Sequence, residues 1–409
     1  MTGADEPRVT RLSHDRDFDV VLLGATGFTG TLTARHLAEH GPAGLRWAVA
    51  GRDPSRLDQL VESLADAPCP PSHWAVVETP EPGDEARTAR LEELVQSTAV
   101  LVTTVGPYLE LGEPVVKACA THGTHYLDLT GEPEFVDRMF DLYDDVARAS
   151  GARLVHSCGF DSIPHDLGVQ FVLEKLAAGG ALTEPVTVQG VVRTAGTVSG
   201  GTFHSALGAF ARQKQARQAA DRRRRREPRP PGRIVRVENP RPRRDQDSGL
   251  WLVALPTIDP AVVARSARAL PAYGTDFTYA HLAGIQRTST LAKAGLGLGA
   301  LAVAARIGPL RKLVGSRIPR GSGPSEERRD RGWFTVDFTA TSGGRTAKAR
   351  VSGGDPGYTE TSKMLAESAL CLVMDDVPDV AGQVTTAVAF GPLLRERLVA
   401  RGMEFISET

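Results

Sequence analysis

Residues 18–30 read Phe18-Asp-Val-Val-Leu-Leu-Gly24-Ala-Thr-Gly27-Phe-Thr-Gly30. The apolar run FDVVLL follows a polar tail and has the character of a strand buried on both faces of a parallel sheet. It leads directly into three glycines and then a helical stretch, Thr31 to His40. Strand, glycine turn and helix in that order are the context of a dinucleotide-binding unit. Gly24 permits the tight turn, Gly27 lets the backbone approach a pyrophosphate, and Gly30 lets helix and strand pack closely. The helix start, with Ala25, Thr26, Phe28 and Thr29, offers free N–H groups and a positive dipole end to a phosphate.

The next strand, Arg46 to Ala50, ends in Gly51-Arg52-Asp53. A carboxylate at this tip takes the ribose 2′-hydroxyl of NAD, whereas an arginine accommodates the 2′-phosphate of NADP. Arg52, with Arg56 one helical turn further on, points to NADP(H). Asp53 argues the other way, but it stands where an N-cap residue precedes Pro54 at the first helical position.

Further βα units follow. Val100 to Val105 is another buried strand, and its carboxyl end brings Val105, Gly106, Pro107 and Tyr108 toward the nicotinamide side of an open α/β sheet. A strand from His125 to Leu129 runs into Thr130-Gly131-Glu132, and Arg153 to His156 closes the series. The expected fold is α/β: a Rossmann-like doubly wound parallel sheet over residues 18–155, preceded by a flexible tail (1–17). An α+β substrate domain spans 156–355, and C-terminal helices (356–409) return to the nucleotide domain. Strands are expected at 186–193, 250–255, 332–341 and 346–352, and helices at 359–374 and 392–401.

In this order the chain carries GATGFTG, AGRD, VGPYLELGEPVVKACATHGTHYLDLTGEPEF and CGFDSIPHDLG, then TVSGGTFHS (197–205), TIDPAVVARSARAL (257–270), GDPGYTETSKML (354–365) and AFGPLLRERLVARGMEF (389–405). The set resembles the saccharopine dehydrogenase-like oxidoreductases, and most closely their actinobacterial branch of trans-acting enoyl reductases. The resemblance covers nearly the whole chain from about residue 18. It implies an NADPH-dependent reductase acting on a carrier-bound or lipid-like enoyl intermediate in polyketide or glycolipid assembly. It does not carry lysine metabolism with it.

For such a reaction the protein must orient the cofactor, polarise a carbonyl and deliver a proton. Tyr108 is the first candidate for the donor or carbonyl partner, its alternative role being an aromatic cap on the turn. Asp128 could orient the substrate or Tyr108, or simply cap the next helix. Cys158 and Asp161 lie on a loop expected to face the inter-domain cleft, with helix capping the competing role for Asp161. His165 and His204 could donate protons near neutral pH, or be structural. Sequence shows no Tyr-x-x-x-Lys pair, triad or metal cluster. Two non-catalytic readings stand beside the enzyme: an NADP-binding regulator, and a membrane- or lipid-associated protein.

Composition sets limits. The 409 residues are 41% hydrophobic and 24% charged with a net charge of −1, which excludes wholesale disorder and a polytopic membrane protein. Cys69, Cys119, Cys158 and Cys371 show no ligand spacing, as expected of reduced thiols in a cytoplasmic protein. The longest uncharged apolar stretch, Ala294 to Ala305, has twelve residues against the roughly 20 that span a bilayer, so it reads as a buried helix or one lying on lipid. The near-neutral total hides residues 211–244, where 14 Arg/Lys face three carboxylates. This segment reads either as a solvated helix end entering a Pro-rich linker, or as a docking surface for an acidic carrier protein or an anionic membrane on its inner face. It holds no aromatic for base stacking, so nucleic acid is not expected. A homodimer is the expected assembly. The glycine-rich 196–205 segment reads equally as a donor nest or as a capped turn.

Overall fold

The computed structural model describes residues 15–195, 212–293, 296–297 and 323–408. Strand β1 (Phe18–Leu23) is buried at every position but Phe18, and β2 (Trp47–Gly51) and β4 (Thr98–Thr103) throughout. With β3 (His73–Val76), β5 (His125–Leu127) and β6 (Arg153–Val155) they form a wholly parallel sheet in the order 3-2-1-4-5-6. Helices α1 (Phe28–His40), α2 (Pro54–Ser63), α3 (Glu85–Gln96), α4 (Tyr108–Leu111), α5 (Glu113–His122) and α6 (Pro133–Ser150) connect the strands. Alternate residues of β1 serve opposite cores: Val20 and Leu22 pack with α1, Val21 and Leu23 with α3, α5 and α6. The strand order reverses between β1 and β4, which opens a crevice at their carboxyl ends.

The carboxyl-terminal segment does more than supply helices. After the short α10 (Glu326–Asp330), it contains α11 (Thr359–Met374), α12 (Thr386–Phe390) and α13 (Pro392–Ala400), and also two strands that its sequence does not announce. Strand β14 (Gly382–Val384) adds a seventh parallel strand beside β6, and β15 (Glu404–Glu408) joins the second sheet. Both are too short for period-two alternation to register. Strand β14 is seated by tertiary bonds: the Gln383 N–H donates to Asp144 (2.7 Å), and the Arg153 guanidinium donates to the Pro378 and Val380 carbonyls (2.7 and 3.1 Å).

The second sheet is mixed. Strands β7 (Val186–Ala195), β11 (Asp276–Ile285), β12 (Trp333–Ser342), β13 (Arg345–Gly353), β10 (Trp251–Ala254) and β9 (Arg243–Arg244) run in the order 15-13-12-7-11-10-9, with β8 (Ile234–Glu238) also on β11. The β7–β11 and β8–β11 pairs are parallel and the others antiparallel. Helix α7 (Ile163–Ala177) leaves the first sheet and lies against β12 and β13, so close that a Cβ at Gly168 would stand 2.4 Å from the Phe338 ring. This helix carries the chain from the nucleotide sheet to the second domain, and its first turn sits where the two meet.

The basic segment takes a form the sequence reading did not anticipate. Helix α8 (Gln213–Arg226) packs along α6, whose Glu134, Asp137, Asp141 and Asp145 share one face at i, i+3, i+7 and i+11. Arg212 holds Glu134 bidentately (2.6 and 2.9 Å), Arg222 and Arg226 pair with Asp141, and Arg226 also reaches Asp145. Arg223 is 6% exposed and lies between Asp137 and Glu227. The arginine run is therefore largely the complement of an acidic helix in the same molecule. Lys214, Arg217, Arg225 and Arg229 remain exposed.

Candidate active site

The glycine turn is built as its residue types require. Gly24 has φ +86°, and a Cβ there would meet Thr104 Oγ1 and Val105 Cγ2 at 2.8 Å. A Cβ on Gly30 would stand 2.2 Å from the Gly24 carbonyl oxygen, so the first turn of α1 can lie on the loop only with glycine. Gly27 is the N-cap of α1, with no side chain occupying the space before the helix. Its nearest neighbour would be the Gly24 oxygen at 3.3 Å. The cradle that these glycines leave at a helix N-terminus fits a pyrophosphate. Phe28 contributes backbone only, because its ring packs edge-on against Tyr358 (4.8 Å between centroids) and under Arg329 (5.4 Å). Ala25 is buried, and the Thr29 carbonyl is tied to Ser362 of α11 (3.4 Å).

At the tip of β2, Arg52 is exposed. Asp53 caps α2, accepting from the Arg56 N–H at 3.2 Å, with Pro54 at the first helical position. That local role leaves the tip without a carboxylate reserved for a ribose. The Arg56 guanidinium donates to the Thr26 carbonyl at 2.6 Å and so bridges α2 to the glycine turn. Across the crevice, Thr104 Oγ1 donates to the Gly24 carbonyl (3.0 Å) and the Val105 N–H to Thr103 Oγ1 (3.2 Å). Val105, Gly106 and Pro107 are thereby held beside the turn.

The carboxyl ends of β5 and β6 hold a dense polar network. Asp128 is fully buried and accepts from Tyr126 Oη (2.9 Å), the Thr130 and Ser157 N–H groups (3.0 and 2.9 Å) and His156 Nδ1 (2.6 Å). Four donors leave it no freedom to meet a substrate, and it acts as the hub that shapes the loop. Ser157, beside it, has φ +61°, a left-handed value costly for a residue with a side chain. It is held there by Oγ–H donation to the Thr130 carbonyl (2.6 Å), while Ser162 Oγ donates to the Ser157 carbonyl (2.7 Å).

Two more of the expected catalytic groups, Tyr108 and Cys158, are buried and held in place. The Tyr108 ring is 7% exposed; its hydroxyl donates to the Thr103 carbonyl (3.1 Å) and accepts from the Leu129 N–H (3.2 Å). Burial and the nearby Asp128 charge push it well above the usual phenol range. It is a strut between β4 and β5. Glu132, which sequence reasoning passed over, accepts from the Tyr108 and Leu109 N–H groups at 3.2 and 2.9 Å and anchors α4. Cys158 is fully buried with its thiol toward the Val155 carbonyl (3.5 Å), and burial raises it far from the thiolate.

Asp161 is different. It is only partly buried, on the loop that follows β6, and its carboxylate faces Gly131, where a Cβ would lie 2.9 Å from Oδ2. No capping bond to α7 holds it, since the Ser162 N-cap position makes none through its side chain and the first-turn N–H groups find backbone oxygens. Burial pushes its carboxyl up to about 6. Of the four candidate catalytic residues it alone offers a titratable group that is neither fully buried nor engaged. His165 stands one turn into α7, buried, its ring edge-on to Phe160 (5.3 Å). His204 and the 196–205 loop lie outside the described residues, as does most of Ala294 to Ala305. Among the described residues, no helix is long and apolar enough to cross a membrane.

Residues 20–152 match the saccharopine dehydrogenase NADP-binding domain. A Mycobacterium tuberculosis protein provisionally assigned as a trans-acting enoyl reductase is 36% identical over 417 residues, covering 95% of this chain and 97% of its own. The trans-acting enoyl reductase of Mycobacterium ulcerans is 33% identical over 427 residues, covering 96% and 98%. The chain belongs to the trans-acting enoyl reductases. Its fold is shared with apo saccharopine dehydrogenase (L-Glu forming) of Saccharomyces cerevisiae, at 12% identity and a TM-score of 0.55, covering 96% of this chain and 100% of that one. This trans-acting enoyl reductase is an NADP-dependent oxidoreductase, in agreement with the arginine-bearing tip of β2 and the glycine cradle.

Proposed function

We propose that this enzyme reduces the carbon–carbon double bond of an α,β-unsaturated acyl thioester presented on a carrier protein, with Asp161 as proton donor. When bound, NADPH supplies the hydride that adds to the β-carbon. The glycine turn and the N-terminus of α1 would hold its pyrophosphate, and Arg52 its 2′-phosphate. Asp161 would hold the proton on a carboxyl oxygen and release it to the α-carbon of the resulting enolate. The observation that carries the reading is Asp161 itself: a carboxyl group on the ligand side of the sheet, raised to about 6 and so partly protonated near neutrality.

The name and full-length similarity of the relatives support an enoyl substrate, and an intermediate of polyketide or glycolipid assembly is the expected class. The exposed Lys214, Arg217, Arg225 and Arg229 suit an acidic carrier. NADPH oxidation should be followed with enoyl-carrier and enoyl-CoA substrates of varied chain length. Turnover that favours the carrier form, and that falls about 10²–10⁴-fold in Asp161→Asn, is expected of a positioned general acid. Stoichiometric NADPH binding with no oxidation of any enoyl substrate would instead identify a regulator.

A further inference from the structure

Three residues far apart in the chain meet where α7, α9 (Asp259–Ala269) and β11 converge. His165 comes from the first turn of α7, Asp259 opens α9, and His281 lies mid-way along β11. All three are buried, and one ligand atom from each lies within 4.8 Å of the other two. His165 Nε2 is 3.2 Å from Asp259 Oδ1, and His281 Nε2 is 3.5 Å from Oδ2.

The 3.2 Å separation is within hydrogen-bond reach, but the orientation does not complete a satisfied triad. Asp259 Oδ1 is buried without a hydrogen-bond partner despite the imidazole nitrogen at 3.2 Å, and His165 Nδ1 is likewise unpartnered. A buried carboxylate oxygen left in this way is costly. The spacing does fit a shared cation, since ligands about 2.0–2.1 Å from a tetrahedral metal stand roughly 3.3–3.5 Å from each other.

The surroundings agree. Among the described residues, the ion-pair partners of Asp259 are the two imidazoles alone. Both histidines are buried, and a neutral imidazole is the form that ligates. His281 also has an outer partner: Tyr279 Oη lies 3.0 Å from Nδ1 and would fix the ring with Nε2 turned to the metal.

We infer that His165, Asp259 and His281 form a site for a borderline divalent cation of the zinc type, with a fourth coordination position open. The two-nitrogen, one-carboxylate donor set suits Zn2+ or Co2+ over Mg2+ or Ca2+, which take oxygen ligands. The site would pin the start of α7 to the second sheet.

The test uses the full chain, purified after expression with zinc or cobalt supplementation and also refolded with either chloride. One metal per chain by elemental analysis is expected, with visible d–d bands for Co2+ of tetrahedral strength. A Tm rise of roughly 3–8 °C over chelator-treated protein should accompany it. Tyr279→Phe should weaken Co2+ about 10–100-fold, and Asp259→Asn should abolish the bands. Wild-type protein with neither metal nor spectrum after both routes overturns the site. Bands that persist unchanged in Asp259→Asn and in His281→Gln overturn it equally. Neither readout requires turnover, so the result stands apart from the substrate reading.

Discussion

The roles proposed for Arg52 and Asp161 each rest on a single functional group, and their consequences are measured one residue at a time. Charge-assisted hydrogen bonds contribute roughly 1.5–3 kcal/mol. Arg52→Ala should therefore weaken NADPH about 10–150-fold while changing NADH little. Titration of nucleotide fluorescence reads both constants, and equal weakening would remove Arg52 from the 2′-phosphate. For Asp161 the sign of the pH effect follows from its raised carboxyl. The acid form is needed for proton delivery, so kcat should decline as pH rises through about 6, and this limb should vanish in Asp161→Asn. The same shift acts on stability. The folded state holds the proton more tightly than the unfolded one, so the favourable contribution is complete below about 4 and is lost as pH rises through about 6. Asp161→Asn should then raise stability above pH 7 by about 1–3 kcal/mol while lowering activity, a pairing that a merely structural aspartate would not give. Asp161 was visible in the sequence as a candidate, but so were Tyr108, Asp128 and Cys158. Only burial and hydrogen-bond partners separate the one free acid from a strut, a hub and a core thiol.

Within α1, the N-terminal turn gives two glycines of the same motif different roles. Glycine within a helix normally costs about 1 kcal/mol relative to alanine. At Gly30 that gain is reversed, because the new methyl would stand 2.2 Å from the Gly24 oxygen. Gly30→Ala is expected to lose about 1–3 kcal/mol in urea denaturation. Gly27→Ala meets nothing nearer than 3.3 Å, so it should keep a near wild-type Tm yet bind NADPH poorly, its methyl intruding where a phosphate approaches. Wild-type affinity in Gly27→Ala would show that the phosphates sit elsewhere. These elements were legible because each is local: an apolar run, a turn needing glycine, a capped helix at Asp53. The strands β8, β9, β11, β14 and β15 were not. Four of them are short or at sheet edges, β11 is a ten-residue central strand whose run DFTYAHLAGI mixes polar with apolar residues, and the registers are set by partners such as Val186, Arg153 and Lys348 far off in the chain.

For the molecule as a whole, part of the basic segment's charge is answered inside the same chain, where α8 lies along the acidic face of α6. Arg223→Ala leaves Asp137 without its buried partner, while Glu227 keeps Arg265, and should cost about 3–5 kcal/mol, whereas exposed Arg225→Ala should fall within about 0.5 kcal/mol. Denaturant midpoints of the two variants test this; equal, small effects would mean that the helix is not docked as described. The acidic ladder at 134, 137, 141 and 145 was present in the sequence, yet nothing in a linear reading says which of many carboxylates an arginine will face. The amino-acid sequence by itself determined the nucleotide fold, its cofactor preference and the family, because those rest on contiguous motifs whose physics is local. Tertiary structure alone decided which candidate acid is free, what the arginine run faces, and that His165, Asp259 and His281 meet. Those outcomes depend on packing that brings together residues 22 to 116 positions apart, and burial then decides which of them are in reach of solvent.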